Sequence, residues 1–181
     1  MPAETAKKFA TYERHLQQAA EFIDARLKAP PRLGLMTGTG LGEVIGDLAV
    51  SATLPYSQIP HFPAATVQGH PGRLLCGTLA GTATLALQGR FHLYEGYSPL
   101  AVAFPVRVLQ ALGVDTLIVS NAAGGLNPAL RPGDLMLIID HINLTGENPL
   151  VGPNIDRWGR RFPDMSRVYD PALAAAARQV A

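Results

Sequence analysis

Arg73-Leu74-Leu75-Cys76-Gly77-Thr78-Leu79 and Thr82-Ala83-Thr84-Leu85-Ala86-Leu87-Gln88 flank the pair Ala80-Gly81. Two apolar-leaning runs of equal length about a two-residue turn form a hairpin pattern. The second run leads into Gly89-Arg90-Phe91-His92-Leu93-Tyr94-Glu95-Gly96-Tyr97. If that stretch continues extended, Arg90, His92 and Tyr94 share one face, with Phe91, Leu93 and Glu95 on the other. Arg90 can then chelate an oxyanion, His92 can donate to it, and Tyr94 can pack on an apolar sugar face. The plain alternative is a surface strand that happens to carry an Arg, a His and an aromatic.

Upstream, Arg32-Leu33-Gly34-Leu35-Met36 is a short apolar run that enters Thr37-Gly38-Thr39-Gly40-Leu41-Gly42. This pattern predicts a buried strand, a glycine-rich turn and a helix from about Glu43. Residues 5–28 read as a helix, because Phe9, Tyr12, Leu16, Ala19, Ala20, Ile23 and Leu27 recur near helical spacing. Pro30-Pro31 ends it. Residues 50–72 are rich in Pro, Thr, Gly and His and read as a loop with short extended pieces.

Downstream, Pro99 suits the first turn of a helix over 99–111. Asp115–Ser120 predicts a buried strand that ends in Asn121-Ala122-Ala123-Gly124-Gly125, and Leu135–Asp140 predicts another strand. Residues 144–166 are loop-like. A last helix starts after Asp170, a good N-cap, and the chain stops inside it without a closing Gly, Asn or Pro. That ending is expected of a fragment, a cleaved product or a truncation. The fold class is therefore α/β, a mixed central sheet flanked by helices, over one domain spanning 1–181.

The 181 residues carry 15 Lys+Arg against 14 Asp+Glu, a net charge of +1, which argues against attachment to nucleic acid or membrane by bulk charge. Hydrophobic residues make up 48% of the chain and charged residues 16%, enough apolar material for a sizeable core. One cysteine, Cys76, excludes an intrachain disulfide framework and fits a reducing compartment. The N-terminus lacks the apolar stretch of a signal peptide, so a soluble cytoplasmic protein is expected.

Charge placement carries more information than net charge. No acidic residue lies between Asp47 and Glu95, a stretch that holds His61, His70, Arg73, Arg90 and His92. Donors without carboxylates suit an anion. The Gly38-Thr39-Gly40-Leu41-Gly42 turn adds backbone N–H groups at the end of a strand. It is not a dinucleotide fingerprint, because Glu43 stands where a third glycine is needed. It lacks the Gly-Lys-[Ser/Thr] of a P-loop. Asn121–Gly125 is a second small-residue turn after a strand, where ligands of open α/β sheets gather. By itself a turn such as Gly38–Gly42 is more often a tight connection than a ligand site, and Asn121–Gly125 can equally be a close-packed turn. His61, His70, His92, His141 and Asp140 show no recognisable metal-ligand spacing. Cys76 reads as a buried small side chain and not a nucleophile. Trp158 and Phe162, in Arg157-Trp158-Gly159-Arg160-Arg161-Phe162, fit a subunit contact or ordinary packing.

Taken together and in order, these segments resemble the purine nucleoside phosphorylases of the trimeric, low-molecular-mass class. The resemblance runs through Gly38–Gly42, Ile59–Pro63, Thr66–Leu74, Gln88–Tyr97, Phe104–Val108, Asn121–Pro128, Gly133-Asp134, Asp140–Leu144, Asn148–Leu150 and Gly152–Asn154. It implies reversible phosphorolysis: phosphate attacks the anomeric carbon of a purine ribo- or deoxyribonucleoside and releases the base and the sugar 1-phosphate. By resemblance, Thr39, His70, Arg90, His92 and the Ala122 backbone N–H bind phosphate. His92 and Glu95 are the catalytic pair, with Glu95 orienting its neighbours. Tyr94, Asn121, Ala123, Gly124 and Phe162 line the sugar and base side, Phe162 by reaching into an adjacent subunit. No metal or organic cofactor is implied; phosphate is the co-substrate, a purine nucleoside the partner molecule and a homotrimer the assembly.

The family's base-reading Glu and Asn, a second phosphate-binding Ser and a ribose-contacting His have no counterpart within these residues. The C-terminal part of the family pattern is missing. If 181 residues were the whole molecule, phosphate binding is expected to survive and phosphorolysis to be severely impaired. Base preference therefore stays open, as do a methylthioadenosine or xanthosine enzyme and a catalytically incomplete phosphate-binding fragment.

Overall fold

A computed structural model describes residues 3–38, 45–64 and 71–180. The chain falls into two compact units, 1–122 and 123–181.

The first unit opens with helix α1, Ala3–Asp24, which buries Phe9, Leu16, Ala19, Ala20 and Ile23 along one stripe. It stops four residues short of the expected end, well before Pro30-Pro31. Strands β1 (Leu33–Thr37), β2 (Ala49–Pro55), β3 (Arg73–Leu79) and β4 (Thr82–Gln88) follow. Helix α2, Pro99–Ala111, leads to β5, Thr116–Val119. The sheet order is β2-β3-β4-β1-β5, so β1 sits between two strands that are distant in sequence. β1 runs parallel to β4 and β5, while β2–β3 and β3–β4 are antiparallel. The sheet is mixed and flanked by helices, as the sequence implies.

The β3–β4 hairpin matches its expected bounds to the residue, with Arg73 opposite Gln88 and Leu79 opposite Thr82. Ala80 and Gly81 both take positive φ, +46° and +80°, the twist a two-residue hairpin turn needs. Its interior is dry: Leu74, Leu85 and Ala86 are fully buried and Leu87 nearly so. Cys76 is buried there too, and burial pushes its thiol up to about 11, so it stays protonated at neutral pH. α2 begins where its cap demands: Ser98 accepts from the Ala101 N–H, with Pro99 in the first turn. Tyr12 of α1 donates its hydroxyl to the Leu100 carbonyl at 2.9 Å and meets Phe104 edge-on.

Three expectations are corrected. Residues 49–55 form β2, an antiparallel edge strand with a register shift between Val50 and Ala52, a seven-residue strand where a loop with short extended pieces was expected over 50–72. Its side chains are small and mostly exposed, so alternation does not mark it, and hydrogen bonding to β3 makes it a strand. Among the described residues β5 lies at the sheet edge, with Ile118 and Val119 about half exposed and not buried as expected. Leu135–Asp140 is irregular, with Leu135 91% and Ile139 63% exposed. An apolar run becomes a strand only where a neighbour supplies a ladder, and none among the described residues pairs with it. The helix from about Glu43 would begin outside the described residues; from Ile45 the chain turns directly into β2.

In the second unit, helix α3 spans Pro171–Val180. Asp170 caps it by accepting from the Ala172 and Leu173 N–H groups at 2.8 and 3.0 Å.

Candidate active site at the carboxyl ends of three parallel strands

β4, β1 and β5 are neighbours and run the same way, so their carboxyl ends lie side by side. The residues leaving those ends are Gly89-Arg90, Gly38 and Ser120-Asn121-Ala122. In open α/β sheets this edge is where ligands bind.

Arg90 ties the ends together. Its Nη1 donates to the Ser120 carbonyl at 3.1 Å, and its Nε donates toward His92 Nε2 at 3.2 Å. Gly38 is where the backbone must pass closely. A Cβ there would lie 2.8 Å from the Ser120 carbonyl oxygen and 3.2 Å from Arg90 Nη2. The Ser120 N–H in turn donates to the Met36 carbonyl at 2.9 Å. Gly38 is thus the residue whose missing side chain lets three strand ends and a guanidinium share one spot.

The extended alternation expected through Tyr97 holds only as far as His92. Phe91 turns inward and is buried, while Arg90 and His92 point the other way. Leu93–Glu95 then forms a tight helical turn. That turn brings Glu95 back onto His92 instead of leaving it on the opposite face. The Glu95 Oε1 atom accepts from the His92 backbone N–H at 2.8 Å and pairs with His92 Nδ1 at 2.6 Å. Only 5% of the Glu95 side chain is exposed. This network assigns the neutral imidazole proton to Nδ1 and leaves Nε2 to accept from Arg90. Tyr94 stacks on the His92 ring, centroids 4.5 Å apart, and is 77% exposed, so its outer face is open to a ligand.

Asn121 donates to the Ala122 carbonyl at 3.1 Å, and Ala122 is exposed beside it. Arg90, His92, Tyr94, Glu95, Asn121 and Ala122 all belong to the first unit. Ala123, Gly124 and Phe162 belong to the second, where all three are exposed and Phe162 is 84% so. Thr39 and His70 lie outside the described residues. His61, one of the basic groups of the acid-free stretch, serves elsewhere. Its ring stacks on His15 of α1 at 3.7 Å and its Nε2 bonds Gln18 Oε1 at 2.7 Å. Desolvation, then the His15 and Arg14 charges, hold its pKa below the ordinary value. Arg73 donates to Gln88 at 2.5 Å.

Among the described residues no group of three His, Cys, Asp or Glu could hold a metal, and no helix is long and apolar enough to cross a membrane. Sequence reasoning missed the Ser120 carbonyl as the anchor of Arg90. Backbone oxygens leave no residue-type signal.

The phosphorylase superfamily model matches residues 32–181, which include every element of this cluster. The chain belongs to that superfamily. Purine nucleoside phosphorylase 1 of Bacillus subtilis is 52% identical over 166 residues, 92% of this chain and 61% of that protein. The Rattus norvegicus purine nucleoside phosphorylase is 53% identical over 163 residues, 88% of this chain and 56% of that one. Isoform 2 of the Schistosoma mansoni purine nucleoside phosphorylase, solved with cytosine and ribose-1-phosphate, superposes with a TM-score of 0.85 at 43% identity. It shares 92% of this chain and 60% of its own. The chain thus spans about 60% of the length of such phosphorylase-superfamily relatives.

Proposed function

We propose that this chain carries the phosphate and sugar side of a purine nucleoside phosphorylase site. The observation that carries the reading is the Arg90–His92–Glu95 cluster at the carboxyl ends of β4, β1 and β5. About 50% identity to purine nucleoside phosphorylases over nine-tenths of the chain supports it.

Inorganic phosphate is held by the Arg90 fork and His92 Nε2, with Thr39, His70 and the Ala122 N–H as further donors. Glu95 fixes the His92 ring and stabilises its charged form when Nε2 donates to the dianion. In the reaction a phosphate oxygen attacks the anomeric carbon as the bond to the purine nitrogen breaks. That bond's electron pair leaves with the base, which takes up a proton. The sugar passes through an oxocarbenium-like state, and the dianion stabilises its positive charge as well as attacking it. Tyr94 packs on the sugar, and Asn121, Ala123 and Gly124 line its base side. Residues 1–181 form part of one catalytic domain, in a cytoplasmic enzyme that needs no metal or organic cofactor and returns purine bases to nucleotide synthesis.

The test is release of hypoxanthine from inosine by the 181-residue chain with and without phosphate, beside calorimetric titration with phosphate. Strictly phosphate-dependent release is the result expected of a complete site. Phosphate binding without release assigns the base-activating groups to residues outside this chain. Absence of both overturns the reading. Running adenosine and methylthioadenosine in parallel assigns the base preference.

The assembly is a homotrimer in which Phe162 reaches the neighbouring sugar site. Its exposed ring supports this placement. Light scattering is expected to give three times the monomer mass; a monodisperse monomer counts against the assembly and against that role for Phe162.

A further inference from the structure

The chain leaves β4 at Gln88 and must present Arg90 and His92 to the strand ends while sending Phe91 into the core. Gly89 makes this possible with φ +104°, a conformation a Cβ disfavours. A single glycine supplies permission but no direction, because its backbone has many alternatives. Something else must hold it.

Tyr56 does so from the short turn that follows β2. Its hydroxyl donates to the Gly89 carbonyl at 2.8 Å, and its side chain is only 2% exposed. Its ring lies 5.4 Å from that of Phe91, which also meets Tyr97 edge-on. Tyr56 therefore holds the residue before Arg90 through its hydroxyl and the residue after it through its ring. Its own backbone is stitched to the same place: the Tyr56 N–H donates to the Gly72 carbonyl at 2.8 Å, and the Gly72 N–H to the Gln88 carbonyl at 3.1 Å. Burial pushes the phenol far above its ordinary range, so it remains a donor wherever the protein is folded.

We infer that Tyr56 is a positioning residue for the anion site, which sets the direction in which Arg90 and His92 leave β4. The inference rests on the phosphate-site reading for its functional consequence and on geometry alone for its structural one. Without the hydroxyl, the buried Gly89 carbonyl loses a donor that water cannot replace. The turn then samples other directions, and the His92–Glu95 bond at its far end opens more often.

Two readouts on Tyr56→Phe separate the parts. Hydrogen exchange of the His92 amide, which donates to Glu95, is expected to rise about tenfold while Leu85 and Leu87 amides in β4 keep their rates. Affinity for inorganic phosphate is expected to fall about tenfold. Gly89→Ala, which leaves the tyrosine in place and strains the same turn, is expected to move both readouts the same way, and it carries the test if Tyr56→Phe does not fold. Unchanged His92 exchange in a folded Tyr56→Phe overturns the inference, whatever Gly89→Ala does. So does a uniform rise across β4, which is the signature of general loosening. If the wild-type chain binds no phosphate, the functional reading falls, and the exchange measurement still decides what Tyr56 does.

Discussion

Arg90→Ala is expected to lower affinity for inorganic phosphate by at least about 100-fold, because it removes a two-pronged charged donor whose hydrogen bonds are worth about 1.5–3 kcal/mol each. The remaining proposed donors, His92 Nε2 among them, offer no second fork to replace it. His92 is already held by Glu95 through Nδ1, and Gly38 contributes no side chain. The variant also releases the Ser120 carbonyl, so the ends of β4 and β5 lose a tie. Arg90→Lys separates charge from shape. It keeps the cation but cannot bond Ser120 and His92 while presenting a fork, so an intermediate loss of about tenfold is expected. Calorimetric titration with phosphate checks both. Wild-type affinity in Arg90→Ala, with the fold intact by circular dichroism, would remove the anion site from this cluster.

Glu95→Ala is expected to weaken phosphate binding about 30- to 100-fold and to destabilise the chain by about 1–3 kcal/mol. One carboxylate oxygen serves both the His92 backbone N–H and its ring. Its loss orphans a half-buried amide and frees the imidazole to rotate, and the stacked Tyr94 follows the ring. Glu95→Gln discriminates between cap and charge. It can still accept from the amide, so most stability should return. It cannot stabilise an imidazolium, so phosphate affinity should recover only in part. Urea unfolding and phosphate titration read the two effects separately. If Glu95→Gln restores binding fully, the carboxylate acts by geometry alone and its charge has no part.

Much of this was legible in the residues because the signals were local. The 73–88 hairpin followed from two seven-residue runs about Ala80-Gly81, and both turn residues carry the positive φ such a turn requires. α2 followed from Pro99 in its first turn, and α3 from Asp170. The acid-free stretch and the small-residue turns suggested the anion site that is proposed for this cluster. The failures share a cause as well. β2 carries almost no pattern and exists because β3 offers a ladder. Leu135–Asp140 carries a strong pattern and has no ladder among the described residues. Alternation placed Glu95 opposite His92, and two hydrogen bonds over three residues reversed that.

By itself the sequence determined the α/β class, the hairpin and the capped helices, and it offered the side chains proposed to hold an anion. These depend on contacts a few residues apart, where spacing is geometry. Only the tertiary structure decided that β1 lies between β4 and β5, that Gly38 gives way to Arg90, and that Tyr56 holds Gly89 from 33 residues away. Parallel pairing and buried backbone hydrogen bonds join residues whose separation along the chain carries no period. Packing on both faces of the sheet selects them.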